Sequence, residues 1–207
     1  YKGISPILAA VLVVAFTTIV TMCMVDGITK KSVAAMLGTV IGVVFSGAFA
    51  LIFGQVTSIT GYNVSDIENL VYVGEMTDIK IGELLFAGIL IASLGAVMDV
   101  GMSIASTLNE LKEQNPQMMT KELFQSGMNV GRDMMGTMTN TLILAFTGGS
   151  INTLVFIFAY NYEYQQVINM YSVGIEIMQG LSSSLGVIMA VPVTSWIAAF
   201  LYSKNQK

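Results

Sequence analysis

Long apolar stretches constrain this chain more than any other feature of its sequence. Five of them can be drawn, at residues 4–25, 32–59, 81–108, 134–160 and 180–202. An α-helix needs roughly 20 apolar residues to cross a hydrocarbon core about 30 Å thick, and each stretch reaches that length. The stretches are too long and too uniformly apolar for the strands of a membrane barrel. The sequence therefore predicts an all-α membrane protein, a single bundle of about five transmembrane helices over residues 1–207.

The composition agrees with this class of protein. Hydrophobic residues make up 54% of the chain and charged residues only 11%, with a mean hydropathy of +0.73. The net charge is −4 and Lys and Arg form no cluster, so we expect the lipid bilayer as a partner and no nucleic acid. The chain begins at Tyr1, already close to a span, and we expect it to be a fragment lacking an N-terminal part.

The basic residues alternate between the connections in step with the spans. The connection at 60–80 is mostly acidic and that at 161–172 has no Lys or Arg. Basic residues flank membrane spans mainly on the cytoplasmic side, so the first turn, the connection at 109–133 and the C-terminus are predicted to be cytoplasmic. Seven of the nine basic residues fall in these segments: Lys30, Lys31, Lys112, Lys121, Arg132, Lys204 and Lys207.

Two further segments are predicted to be helices that are not simple spans. Residues 121–135 alternate apolar and polar positions at helical spacing, which is typical of a helix along the inner membrane face. An extension of the fourth span explains that pattern equally well. Arg132 and Asp133 are expected at the inner end of the fourth span, where they are a possible ion pair. Residues 171–179 are mildly amphipathic and predict an outer interfacial helix, and a break is expected at Gly148 and Gly149.

Small residues recur on one face of several spans. Lipid drives helices together only weakly, so close backbone approach over small side chains is a main route to their association. The second span carries them at intervals of four, and we expect packing within the chain, with a homodimer seam as the alternative. The predicted packing residues are Gly38, Gly42 and Ser46 in the second span, Gly88 and Gly95 in the third, and Gly186 in the fifth.

Asp99 interrupts the third apolar stretch and shares a face with Gly95. An ionised Asp at the centre of a span costs roughly 2.5–3.5 kcal/mol on insertion scales, so such a residue is a candidate functional group. Without a fixed counter-charge the neutral acid is favoured, and a proton could be gained and lost as water access changes. The alternative is a permanently protonated Asp that bonds to Thr or Asn across a helix seam, which contributes about 0.6 kcal/mol.

Three segments carry a family resemblance. LGAVMDVGMSIASTLNE, GMNVGRDMMGTMTNTLILAFTGGS and GLSSSLGVIMAVPVTSW closely resemble the YibE/F-like family of bacterial inner-membrane proteins, over residues 11–201. This resemblance implies a multi-pass protein of the bacterial cytoplasmic membrane with a cytoplasmic C-terminus. It implies no particular activity.

A more distant resemblance suggests a mechanism. The stretch GAVMD followed by Glu110, then TMTNTLILAFTGG, then SSSLGVIMAVP are similar to one transmembrane half of the SecD/SecF subunits and the resistance-nodulation-division superfamily. The resemblance implies that the bundle is a half-repeat with Asp99 as the proton-relay carboxylate. Its neighbours in the relay would be Thr137, Thr139, Asn140 and Thr141. The large outer domain of that superfamily is absent from this chain, and a lone half would need a partner.

Two functions remain open at this point. The first is a transporter or half-transporter coupled to the proton-motive force, with an unknown small substrate. The second is a non-transporting scaffold or receptor-like component that assembles with a paralogue or an envelope protein, and both predict a homo- or hetero-oligomer. The chain has no His, which excludes a Ser-His-Asp triad, and it has no P-loop, so we expect no enzyme, no cofactor and no metal.

Overall fold

The computed structural model describes residues 5–63, 67–77 and 79–203, and these form helices, turns and no strand. The all-α prediction is therefore confirmed for this part of the chain. The helices are α1 (Pro6–Asp26), α2 (Lys30–Thr57), α3 (Ile67–Met76), α4 (Leu84–Gln114), α5 (Thr120–Gly149), α6 (Ile151–Ala159), α7 (Tyr164–Ile168) and α8 (Tyr171–Ser203). Single 3-10 turns lie at Gly61–Asn63 and Ile81–Glu83.

Four to five helices of the described chain are long and apolar enough to cross a membrane. Four of them qualify singly: α1, α2, the helix that runs from Ile81 through α4, and α8. The helices α5 and α6 qualify only together, and they are bent by 54° at the break between them. If the two helices form one broken span, the number of spans is five. This agrees with the predicted bundle of about five spans.

The centre of the bundle is formed by α2, α4 and α8. Helix α8 packs along α2, and α4 packs against both of them. Helix α5 lies against α8 and the second half of α4, while α1 covers α2 and α4. Small residues permit this packing, because a Cβ atom at Gly42 would already lie 2.7 Å from Val97 and 2.8 Å from Ala190.

The segments predicted to share one side of the membrane meet at one end of the bundle. The Lys30 ammonium, at the start of α2, donates a hydrogen bond of 3.5 Å to the carbonyl of Leu201 near the end of α8. The hydroxyls of Thr120 and Ser203 are hydrogen-bonded at 2.6 Å, so α5 begins where α8 ends. The first turn, the loop between α4 and α5, and the end of α8 thus form the basic end of the molecule.

Residues 121–135 and the fourth span form one continuous helix, α5, which begins at Thr120 rather than at 134. The extension of the span, rather than a separate helix along the membrane face, therefore describes this segment. Helix α5 runs antiparallel to α8, because Gly127 faces Ser195 and Gly131 faces Val191. These two glycines and Leu123 recur every four residues and form a flat buried face, which contributes little to a hydropathy profile.

The predicted outer interfacial helix at 171–179 is also part of a longer element. Helix α8 runs without interruption from Tyr171 to Ser203, so these residues form its first turns. The break predicted at Gly148 and Gly149 is present in the structure, since α5 ends at Gly149 and α6 continues at an angle of 54° to it. Helices α3, α6 and α7 are short and lie toward the end opposite the basic one.

Candidate functional site

Asp99 lies fifteen residues from either end of α4 and is exposed at the surface of the chain. Its neighbours on that helix face are Gly88, Ala92 and Gly95, which are exposed as well. A Cβ atom added at Gly88 or Gly95 would meet no atom within 4 Å. We call these four residues the open face of α4. The two glycines were predicted to be helix-packing residues, but they have no packing partner within the described chain.

The other predicted packing residues lie in the seam between α2 and α8. A Cβ atom at Gly38 would overlap the side chain of Thr194. At Gly186 it would lie 2.7 Å from the Cβ of Ser46 and 3.0 Å from the carbonyl oxygen of Gly42. The seam is therefore intramolecular, and the small residues let the two helix backbones come into direct contact.

The polar residues of the predicted relay lie on α5, where Thr137, Asn140 and Thr141 are exposed and Thr139 is half-buried. The Thr137 hydroxyl donates to the carbonyl of Asp133 at 3.4 Å, and the Thr141 hydroxyl donates to the carbonyl of Thr137 at 3.0 Å. Both bonds are local to the helix. No hydrogen bond joins any of the four residues to Asp99 within the described chain, so a single copy does not assemble the predicted relay.

Arg132 lies farther from the basic end of the molecule than the sequence suggested. It was predicted at the inner end of the fourth span, but α5 begins twelve residues earlier, which is about 18 Å of helix. Its neighbour Gly131 contacts Val191 on α8. The preceding residue of α8, Ala190, contacts Gly42 in the seam between α2 and α8. Val97, two residues before Asp99 on α4, contacts the same Gly42. Arg132 and Asp99 therefore lie near the same cross-section of the bundle.

The charged side chains at this level have no partner of opposite sign in the part of the chain that the structure describes. Asp99, Arg132 and Asp133 are all exposed. The ion pairs found among the described residues are Lys31 with Asp26 and Lys80 with Glu83, both at the ends of helices. The predicted pair of Arg132 and Asp133 is not among them. In the hydrocarbon core of a bilayer, a carboxylate without such a partner would need water, a partner chain or a proton, and a guanidinium would need water or an acidic partner.

Buried hydroxyls form a second polar feature, which the sequence reasoning missed in part. The hydroxyls of Thr39 and Thr194 both lie beside Gly101, where a Cβ atom would be 2.9 Å from the first and 3.7 Å from the second. Eight buried side-chain oxygens have no hydrogen-bond partner among the described residues; the hydroxyls among them belong to Thr39, Ser46, Ser182, Ser183, Ser184, Thr194 and Ser195. Their signal in the sequence is the recurrence of small polar residues at helical spacing in α2 and α8.

Comparison with known proteins assigns the chain to a family. A model of the YibE/F-like protein family matches residues 1–204, nearly the whole chain. This chain belongs to the YibE/F-like family. No curated protein and no solved structure matches this YibE/F-like chain. The more distant resemblance to the SecD/SecF subunits and the resistance-nodulation-division superfamily stays a prediction.

Proposed function

We propose that this YibE/F-like chain is a half-transporter for a small substrate, coupled to the proton-motive force through Asp99. The observation that supports the proposal is the position of this carboxylate. It lies at the midpoint of a 31-residue apolar helix, on a face of small residues, with no hydrogen bond or ion pair to the rest of the described chain.

A charge in lipid is costly, and this cost is what can couple Asp99 to proton movement. An ionised Asp at the centre of a span costs roughly 2.5–3.5 kcal/mol, and a proton removes that cost. A carboxylate that meets water from one side and then from the other would take up a proton on the first side and release it on the second. Each charge carried across the membrane is worth about 2.3 kcal/mol per 100 mV, which is the energy available for coupling.

The pathway would be completed by a second chain. None of the predicted relay residues on α5 is hydrogen-bonded to Asp99 within the described part of one copy, and the open face of α4 is left uncovered there. A second copy or a paralogous membrane protein would bring its own polar residues to this carboxylate: Thr137, Thr139, Asn140 and Thr141 in the case of a second copy. We propose that the assembly lies in the bacterial cytoplasmic membrane with its basic end and C-terminus in the cytoplasm.

The test is proton movement in vesicles. The complete assembly, which is the chain together with any membrane protein that co-purifies with it, is reconstituted in sealed proteoliposomes and given a pH gradient. The decay of the gradient is followed with an internal pH dye. We expect Asp99→Asn to abolish protein-dependent decay, because an amide has no proton to release in this range. The matched control is Glu113→Gln on the same helix, an exposed acid near the basic end that accepts a hydrogen bond from Asn109. Equal decay with Asp99→Asn and wild type would overturn the proposal.

A second candidate function is favoured by the same open face. A non-transporting scaffold that holds a paralogue or an envelope protein would also use a small-residue surface for assembly. The two functions differ in their response to the substitution. The scaffold predicts that Asp99→Asn leaves gradient decay unchanged in vesicles that contain the complete assembly, whereas the half-transporter predicts its loss.

A further inference from the structure

A cleft of about 340 Å³ lies between α5, α6 and α8, at the end of the bundle opposite the basic one. Its size falls within the range of small-molecule sites, which hold roughly 300–1,000 Å³. The 54° bend after Gly149 creates it, because α6 leaves the line of α5 and contributes Thr153 and Leu154 to one wall. Phe146 and Ile177 contribute to the walls formed by α5 and α8.

Glu176 gives this cleft its chemistry. It is the titratable residue among those that line the cleft, and no Lys or Arg lines it. Its side chain is half-buried and makes no hydrogen bond or ion pair within the described residues. The hydroxyls of Thr147 and Ser150, also in the lining, donate to carbonyls of their own helix at 2.7 Å and 3.0 Å. They therefore do not serve the carboxylate as donors.

We infer that this cleft binds a lipophilic monocation, such as a hydrophobic amine, a phosphonium or a quaternary ammonium ion. The apolar walls match a hydrophobic body, and one carboxylate without a partner matches one positive charge. The ring of Phe146 adds an aromatic face, which attracts cations within about 6 Å. A lipophilic anion would be repelled by the Glu176 carboxylate, and no Lys or Arg lines the cleft to offset this repulsion.

The inference concerns binding and does not depend on proton transfer at Asp99. Only the further step, that the bound cation is also the transported substrate, rests on the proposed function. Binding is measured on the purified protein in detergent without a gradient. A failure of Asp99 to move protons would thus leave the cleft unaffected, and a failure to bind cations would leave the proton pathway unaffected.

The probe is tetraphenylphosphonium, with triphenylphosphine oxide as its neutral counterpart, and binding is measured by equilibrium dialysis. We expect Glu176→Gln to weaken binding of the cation by about tenfold, which corresponds to about 1.4 kcal/mol, because the amide removes the Coulomb attraction between the carboxylate and the phosphonium charge. Binding of the neutral probe should not weaken. The matched control is Glu75→Gln, an exposed acid on α3 that removes the same charge away from the cleft.

A second variant tests the cleft itself rather than its charge. Ile177 lines the cleft and its side chain is 57% exposed, so Ile177→Trp can place its ring in the cleft without disturbing the core. It should weaken binding of both probes. The inference is overturned if Glu176→Gln binds the cation as tightly as wild type, if Glu75→Gln weakens it equally, or if Ile177→Trp leaves both probes bound.

Discussion

The backbones of Gly42 on α2 and Gly186 on α8 are in direct contact. A Cβ atom at Gly42 would lie 3.2 Å from the carbonyl oxygen of Gly186, and one at Gly186 would lie 3.0 Å from the carbonyl oxygen of Gly42. The side chains of Val97 on α4 and Ala190 on α8 complete the packing around Gly42. This contact joins the two helices around which the rest of the bundle is assembled.

The first prediction concerns this contact. Gly186→Leu should destabilise the fold by about 1–3 kcal/mol or more, because a larger side chain forces the two backbones apart. The measurement is reversible unfolding of the purified protein in mixed micelles. Gly136→Leu is the control, since a Cβ at Gly136 would meet nothing within 4 Å. If both variants lose stability equally, the contact does not hold α2 and α8 together.

The second prediction concerns the open face of α4. Gly95→Trp should leave the free energy of unfolding of the single chain nearly unchanged, because among the described residues no other helix comes within 4 Å of the added Cβ. It should disrupt the proposed assembly, because a large ring keeps another helix away from Asp99. Single-molecule photobleaching in liposomes counts the copies. Leu37→Trp, at a 47% exposed position on α2, is the control, and assembly that survives Gly95→Trp would contradict the proposed interface.

The third prediction concerns the basic end. The Tyr202 hydroxyl, which is buried, donates a hydrogen bond of 3.0 Å to the carbonyl of Ala105 and so joins the end of α8 to α4. Tyr202→Phe should reduce the free energy of unfolding by about 1 kcal/mol, the usual contribution of such a bond. Tyr164→Phe, where the side chain is 78% exposed, should have almost no effect. If the free energy of unfolding falls by the same amount in both variants, the hydrogen bond of Tyr202 does not stabilise the fold.

The fourth prediction concerns topology. In a Cys23→Ser background, a cysteine at Asn115 should react with a membrane-impermeant maleimide only from the cytoplasmic side. Asn115 directly follows α4, whose last turn carries Lys112, at the basic end. A cysteine at Tyr162 should react only from the opposite side, since this residue lies between α6 and α7. Labelling of both from one side would contradict the arrangement of spans.

The apolar stretches predicted the first three spans to within a few residues, except at the end of the third. Residues 4–25 correspond to Pro6–Asp26, 32–59 to Lys30–Thr57, and 81–108 to the helix that ends at Gln114. Hydropathy works here because these helices carry their charged residues at their ends, with Asp99 as the exception. The third helix continues beyond its apolar part, since Glu110, Leu111 and Lys112 are polar or mixed in character but good helix formers.

The fourth and fifth spans were less well predicted, for a physical reason. Arg132 and Asp133 lower the hydropathy of α5, and Glu176 and Gln179 lower that of α8, so both helices seemed to begin late. Helix–helix contact over Gly127 and Gly131 positions α5, and hydropathy does not measure such contact. Spacing also placed Asp99 and Gly95 on one face, but whether that face is covered depends on tertiary packing.

The most direct test of the proposal is the protonation of Asp99 itself, followed by infrared difference spectroscopy on the assembled protein in oriented proteoliposomes. The pH is changed on one side of the membrane at a time. We predict a protonated-carboxyl band that is missing in Asp99→Asn and that responds to the pH of either side. A band that responds to neither side, or one that persists in Asp99→Asn, would contradict a proton pathway through this residue.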